Sequence, residues 1–195
     1  MEEIKAQKAE LRSEIINKLA SISESDLTEK TSKIEDHLFD FANFLEANIV
    51  LMYLSGTHEV PPLNIIKRCF DYGKMVIIPD TDRENLITTL YKIDDPDADL
   101  TEDAFGELEP NRAKCKKVPV ECIDIAIVPG LVFDEKGGRL GGGDGVYDRL
   151  IPELPATTRK VSLAYEEQLV PLVPTESHDR YVDIIITDSR IIYKI

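Results

Sequence analysis

Residues 139–149 read Arg-Leu-Gly-Gly-Gly-Asp-Gly-Val-Tyr-Asp-Arg, and four of the five positions 141–145 are glycine. Glycine reaches positive φ without steric cost and leaves no Cβ in the way of a ligand. Consecutive backbone N–H groups ahead of a helix favour anions, and Arg139 and Arg149 add positive charge at both ends. The chemistry such a stretch can do is to cradle phosphate. A hairpin turn is the plainer use of glycine, but it needs only about two to five residues. Seven of the ten glycines lie between 128 and 150, mixed with Arg139, Asp144, Asp148 and Arg149, which a turn does not require. Asp148, with a second acid such as Asp179, could hold Mg²⁺ against phosphate oxygens; each could equally be a structural acid. The P-loop pattern GxxxxGK[ST] is absent, and the dinucleotide fingerprint fails because Val146 stands where its last glycine should be. Residue types and spacing therefore give an anion-binding loop of unassigned type.

The elements around the loop follow from hydrophobic periodicity. Ile4, Leu11, Ile15 and Leu19 mark a helix over 2–20, with Lys5, Lys8 and Arg12 beside that stripe. A second helix is expected over 25–45, burying Leu27, Ile34, Leu38, Phe41 and Leu45. The apolar run 48–54 reads as a buried strand. Pro61 or Pro62 can open the next helix, which carries Leu63, Ile65, Ile66 and Phe70 and closes at Tyr72-Gly73. A strand over 75–78 is expected to stop at Pro79-Asp80. Together 48–79 form a strand–helix–strand crossover, and ligands of such sheets bind beyond the strands' carboxyl ends. Ser55 to Glu59 falls there. Glu59 suits the first turn of a helix or the N–H groups of a ligand.

Further strands are expected over 86–93, 123–128, 158–164 and 182–187, with an edge strand over 191–195. Residues 94–103 read as an acidic surface excursion. Residues 105–117 read as loop, with a basic cluster at Arg112, Lys114, Lys116 and Lys117. Short helical turns are expected over 147–154 and 165–169. The expected class is α/β: one domain over 1–195 with a mainly parallel sheet and helices on both faces.

The net charge is −14, which argues against a general nucleic-acid or anionic-membrane surface and confines any phosphate site to a local basic pocket. Cys69, Cys115 and Cys122 form no CxxC pair, so neither a disulfide framework nor a zinc site is signalled, and a reducing cytoplasm fits. The N-terminus lacks a signal core, and no run is long and apolar enough to span a membrane. His37, His58 and His178 are scattered.

Beyond spacing, the stretch from Arg139 to Arg149 resembles the R-L-G-x-G-x-G-Y-Y-D-R signature of the 5-formyltetrahydrofolate cyclo-ligase family. Val128-Pro-Gly-Leu-Val-Phe133-Asp134 is similar to its V-P-G-x-x-F-D lead-in. Lys8-Ala-Glu-Leu11-Arg12, Tyr53-Leu54-Ser55 through Glu59-Val60, Leu108-Glu109-Pro110, Ala164 to Leu169 and His178-Asp179 match further segments in order. The resemblance implies a three-layer α/β/α fold like that of the ribose-phosphate-isomerase and CoA-transferase group. It implies ATP- and Mg²⁺-dependent cyclisation of the reduced folate 5-formyltetrahydrofolate to 5,10-methenyltetrahydrofolate, releasing ADP and phosphate. Carried over by position, Lys8 and Arg12 would contact ATP phosphates. Arg139, Leu140, Gly141, Gly142, Gly143, Asp144, Gly145 and Tyr147 would cradle the triphosphate. Asp148 and Asp179 would hold Mg²⁺, and Leu54, Glu59 and Val146 would meet the pterin. No nucleic-acid or membrane partner is implied, and a monomer or weak homodimer is expected. Gly142, Asp144 and Val146 depart from the usual residues (an aromatic or basic side chain, glycine or lysine, and tyrosine). Those departures keep two alternatives in view: an ATP-binding relative acting on another small molecule, and a non-catalytic binder on the same scaffold.

Overall fold

The computed structural model describes residues 2–54, 58–82, 84–104 and 106–194. Ser55, expected to flank the site, and Ile195, expected in the edge strand, lie outside the described residues. The helices are α1 (Glu2–Ala20), α2 (Glu24–Asp40), α3 (Ala42–Glu46), α4 (Leu63–Asp71), α5 (Pro96–Asp99) and α6 (Val146–Leu150). The strands are β1 (Ile49–Leu51), β2 (Met75–Asp82), β3 (Ile87–Ile93), β4 (Leu100–Glu102), β5 (Leu108–Pro110), β6 (Lys116–Lys117), β7 (Ile125–Ile127), β8 (Val132–Phe133), β9 (Arg139–Leu140), β10 (Arg159–Ala164), β11 (Ile184–Thr187) and β12 (Ile191–Tyr193). Eight of them make one sheet in the order β12-β11-β10-β7-β1-β2-β3-β6. Its five central strands, from β11 to β2, are parallel. Antiparallel pairs close both edges, and Lys116 and Lys117 on β6 discourage further pairing there.

The central strands are apolar on both faces because both faces are covered. Val50, Val76, Ile78, Ile125, Ile127, Val161 and Ile184 pack with Ile15, Leu19, Ile34, Leu38, Phe44, Ile65 and Ile66 of α1–α4. Leu51, Ile77, Ala126, Ala164 and Ile185 point the other way, against Phe133, Leu150 and Leu154. Helices thus lie on both faces as expected, but unequally. Four cover one face; the other has the five-residue α6, a short 3₁₀ turn and the β8–β9 hairpin.

Several expected boundaries shift, each for a local reason. The helix expected over 25–45 breaks at Phe41, whose φ of −75° and ψ of 118° are extended. The break puts Phe44 into the core at 0% exposure and turns Leu45 outward to 46%, correcting the expectation that Leu45 is buried. Pro79 does not stop its strand. β2 runs to Asp82 and pairs with β3 throughout. The carbonyl oxygen of Ile77 accepts Met52 N–H on the β1 side, so two residues on, the nitrogen of Pro79 faces the same side. β1 has already ended there, and no ladder bond is lost. The stretch read as loop over 105–117 contributes β5, paired with β4, and β6 at the sheet edge.

Candidate functional site

From β1 the chain crosses to β2 on one side; later it returns to β7 and proceeds away on the other. β1 and β7 therefore flank the point where strand order reverses, where open α/β sheets bind ligands beyond the strands' carboxyl ends. A cavity of about 980 Å³ opens there. Tyr53, Leu54 and Glu59 line it after β1, Pro79 and Asp80 from β2, and Pro129 after β7, with Lys8 and Arg12 of α1 across from them. Every residue assigned to the site by resemblance, from Lys8 to Asp179, lines this one cavity, whereas Arg149 does not.

The glycine stretch divides into two devices, where the sequence suggested one cradle. The first is a true hairpin, β8–β9. Buried Asp134 organises it: its Oδ1 accepts the N–H groups of Lys136 and Gly138 at 2.9 Å each, and its Oδ2 accepts Val173 N–H at 2.8 Å. A Cβ on Gly138 would lie 2.4 Å from that carboxylate, and one on Gly137 would lie 2.3 Å from the carbonyl oxygen of Val182. The second device is the loop 141–145. Gly143 and Gly145 have φ of +114° and +66°, which side chains resist, while Gly142 faces open space. Gly145 starts α6 without a side-chain cap of its own, and residues 141–146 line the cavity. Asp144 turns toward its own backbone, its Oδ1 lying 3.4 Å from Val146 N–H, and its carbonyl oxygen accepts from Arg149 Nη1 at 3.1 Å.

Arg139 is only 5% exposed. Its Nη1 donates to the carbonyl oxygen of Pro129 at 3.1 Å, and its Nη2 pairs with Asp148 Oδ1 at 2.8 Å. Its Nε is buried without a partner. Asp148 Oδ1 also accepts Arg180 N–H at 2.9 Å, which brings Asp148 beside the backbone that follows Asp179. Arg12 Nε donates to the carbonyl oxygen of Gly141 at 2.9 Å and ties α1 to the loop. One turn earlier, Lys8 Nζ lies 2.5 Å from Asp179 Oδ2 and 3.0 Å from Glu176 Oε2. Burial alone would lower the Lys8 pKa; hydrogen bonds to the two carboxylates outweigh it and raise it.

Also lining the cavity, Glu59 is largely desolvated, and burial pushes its pKa up to about 7 despite the opposing pull of Arg139. Tyr53 fixes this loop by donating its buried hydroxyl to the carbonyl oxygen of Val60 at 2.5 Å. Tyr147 and Leu54 give the cavity apolar surface. Val146, on the first turn of α6, also lines the cavity and adds no polar atom.

The cavity lining carries nine carboxylates against five Lys and Arg side chains. A polyphosphate fits that field only with a cation alongside. The donor chemistry suits Mg²⁺, which prefers carboxylate oxygen. Asp179, Glu176 and His178 offer ligand atoms all within 4.8 Å of one another. Asp148 is not in that group and is engaged by Arg139. Glu176 is the functional candidate that sequence reasoning missed; it lies three residues before Asp179 on an irregular segment without periodicity. The pairing of Lys8 with that segment, 168 residues away, was likewise invisible.

An open, mainly parallel sheet whose switch point carries a glycine-lined cavity with arginine and lysine at one end defines a binder of an anionic small molecule. Comparison with known proteins narrows this. Residues 4–188 match the model of the 5-formyltetrahydrofolate cyclo-ligase family. A probable 5-formyltetrahydrofolate cyclo-ligase of Caenorhabditis elegans is 26% identical, covering 98% of both chains. The 5-formyltetrahydrofolate cyclo-ligase of Mus musculus is 24% identical, covering 95% of this chain and 96% of that one. The NMR structure of 5,10-methenyltetrahydrofolate synthetase from Aquifex aeolicus superposes with a TM-score of 0.83 at 29% identity, over 96% of this chain and 92% of the other. The chain belongs to the 5-formyltetrahydrofolate cyclo-ligase family. Among the described residues no helix is long and apolar enough to cross a membrane.

Proposed function

We infer that this chain is a 5-formyltetrahydrofolate cyclo-ligase, using ATP to close 5-formyltetrahydrofolate into 5,10-methenyltetrahydrofolate with release of ADP and phosphate. The observation that carries the reading is spatial. Residues assigned by resemblance on separate segments, Lys8, Glu59, Gly141 and Asp179 among them, line the same cavity in a chain that matches the family over 4–188.

The triphosphate takes the part of the cavity lined by Lys8 and Arg12 of α1 and by the loop 141–145. The pterin takes the remainder, its ring N–H groups on Glu59 and its faces on Leu54, Val146 and Tyr147. The formyl oxygen attacks the γ-phosphorus, ADP leaves, and an imidate-type phosphate forms. N10 then attacks the formyl carbon, loses its proton, and expels phosphate carrying the formyl oxygen. The protein's part is positioning and charge neutralisation. Arg139 commits one N–H of each terminal nitrogen to the protein, so it acts by its field and its remaining N–H donors. Mg²⁺, when bound, supplies neutralisation of the phosphate oxygens, and Asp179 with Asp148 or Glu176 would hold it. Residues 1–195 act as one unit in a reducing cytoplasm, consistent with Cys69, Cys115 and Cys122 as free thiols.

The test is isotopic. With ¹⁸O in the formyl group, one labelled oxygen should appear in the released inorganic phosphate for each turnover. Label retained elsewhere, or lost to water, contradicts this order of bond changes.

A further inference from the structure

The acid pair Glu176–Asp179 already holds a cation, the ammonium of Lys8. That ammonium has two carboxylate partners, at 2.5 and 3.0 Å, and the Lys8 side chain is only 8% exposed. Its partner oxygen on Asp179 also accepts the backbone N–H of Glu176 at 2.6 Å, which fixes the carboxylate's direction. His178 Nε2 lies 3.5 Å from the other Asp179 oxygen and 3.9 Å from Glu176 Oε2. The oxygens best placed for a divalent cation are therefore the ones Lys8 occupies.

Lys8 also stands four residues before Arg12, on the same face of α1. Arg12 touches Gly141 of the anion loop. Ile15 and Leu19 anchor α1 in the core, so the helix stays in place while the lysine stem, with four rotatable carbons, can swing. One end of that swing is the acid pair; the other is the loop.

We propose that Lys8 and a divalent cation exchange for the same carboxylate oxygens, so that metal entry at Glu176 and Asp179 releases the Lys8 ammonium to the phosphate end of the cavity. Lys8 is then a positioning switch as well as an anion ligand. Without metal it is held away from the loop and offsets one of the acid pair's two charges. With metal, the acids exchange one counter-ion for another and the loop gains a charge. The device explains why an acidic cavity can accept a polyphosphate only in company with its cation. It rests on the cyclo-ligase reading for the identity of the anion, though the exchange itself needs only the metal.

The experiment uses the full chain without nucleotide and Mn²⁺ alone as probe, followed by paramagnetic resonance of the free ion, with Mg²⁺ as competitor. Lys8→Gln removes the resident ammonium, and Mn²⁺ should bind about tenfold or more tightly than to the wild type. Lys5→Gln removes the same charge from the same cavity without touching the acids; it should change affinity less than about threefold. In the wild type, saturating Mg²⁺ should move the Lys8 ¹⁵Nζ resonance and speed its proton exchange, while other lysines stay put. Equal gains from Lys5→Gln and Lys8→Gln, no gain from Lys8→Gln, or an unmoved Lys8 resonance overturns the exchange. The resonance measurement decides the matter if Lys8→Gln does not fold. Failure of the functional reading looks different: the wild type then forms no methenyl product, whatever the metal titrations give.

Discussion

Glu59 couples this site to pH in a way that can be worked from the structure. Its folded pKa of about 7 stands against an ordinary value of 4.5. The cause is desolvation, which penalises the carboxylate and not the acid. The folded state therefore holds a proton that the unfolded chain has released, and stability falls as pH rises from 4.5 to 7. At one pKa unit per 1.36 kcal/mol, the ionised Glu59 costs the ligand-free fold about 3 kcal/mol above pH 7. Glu59→Gln should remove that slope: equal stability to wild type near pH 4.5, and up to about 3 kcal/mol more at pH 8. On the pterin role proposed for Glu59, the ligand reverses the preference. Pterin ring N–H groups need an acceptor, and protonated Glu59 presents a donor to one of them. At pH 6 about a tenth of Glu59 is ionised, so folate should bind about tenfold more weakly than at pH 8. Glu59→Gln should lose about ten- to a hundredfold in folate affinity at pH 8, and its binding should be flat across this range. Denaturant titrations and folate titrations at pH 6, 7 and 8, with ATP affinity as control, provide the readouts. Wild-type folate affinity that is constant from pH 6 to 8, or a variant no more stable at pH 8, refutes the reasoning.

Other residues give contrasting outcomes. Gly145→Ala forces φ of +66° on a side chain and brings its Cβ within 3.0 Å of Arg149 Nη1; it should cost about 1–2 kcal/mol in unfolding measurements and weaken ATP. Gly142→Ala meets nothing within 4 Å and should stay within about 0.5 kcal/mol of wild type in the same measurements. Arg139→Met leaves Asp148 with only Arg180 N–H and leaves the carbonyl of Pro129 without its guanidinium donor, so thermal unfolding should report a loss of about 2–3 kcal/mol. Arg12→Ala should weaken ATP more than folate in equilibrium titrations, because Arg12 meets the loop and not the Glu59 end. Equal effects on both ligands would remove α1 from the phosphate site.

What was legible in the sequence follows from how local its cause is. The crossover from β1 through α4 to β2 was legible because two continuous apolar runs, Pro61 or Pro62 and Gly73 are neighbours in the chain. The glycine stretch was legible as a candidate site but not as two devices. Nothing in the spacing of Gly137 and Gly138 reveals that Asp134 gathers their hairpin or that Val182 presses against it. Phe41 breaks its helix although its apolar spacing continues the stripe, because the core rewards burial of Phe44. Pro79 sits inside a strand because β1 ends early, a fact of tertiary arrangement. At the site, Lys8, Arg12 and Asp179 became candidates by resemblance, whereas the ion pairs of Lys8 with Glu176 and Asp179 and the burial of Arg139 against Asp148 exist only once distant segments meet.

The central claim is tested most directly by mixing the purified chain with 5-formyltetrahydrofolate and Mg-ATP and following the near-ultraviolet absorbance of the methenyl product together with ADP. The account predicts equimolar formation of both, dependent on folate, ATP and metal together. ATP binding without methenyl product, or ADP release indifferent to the folate, would contradict it.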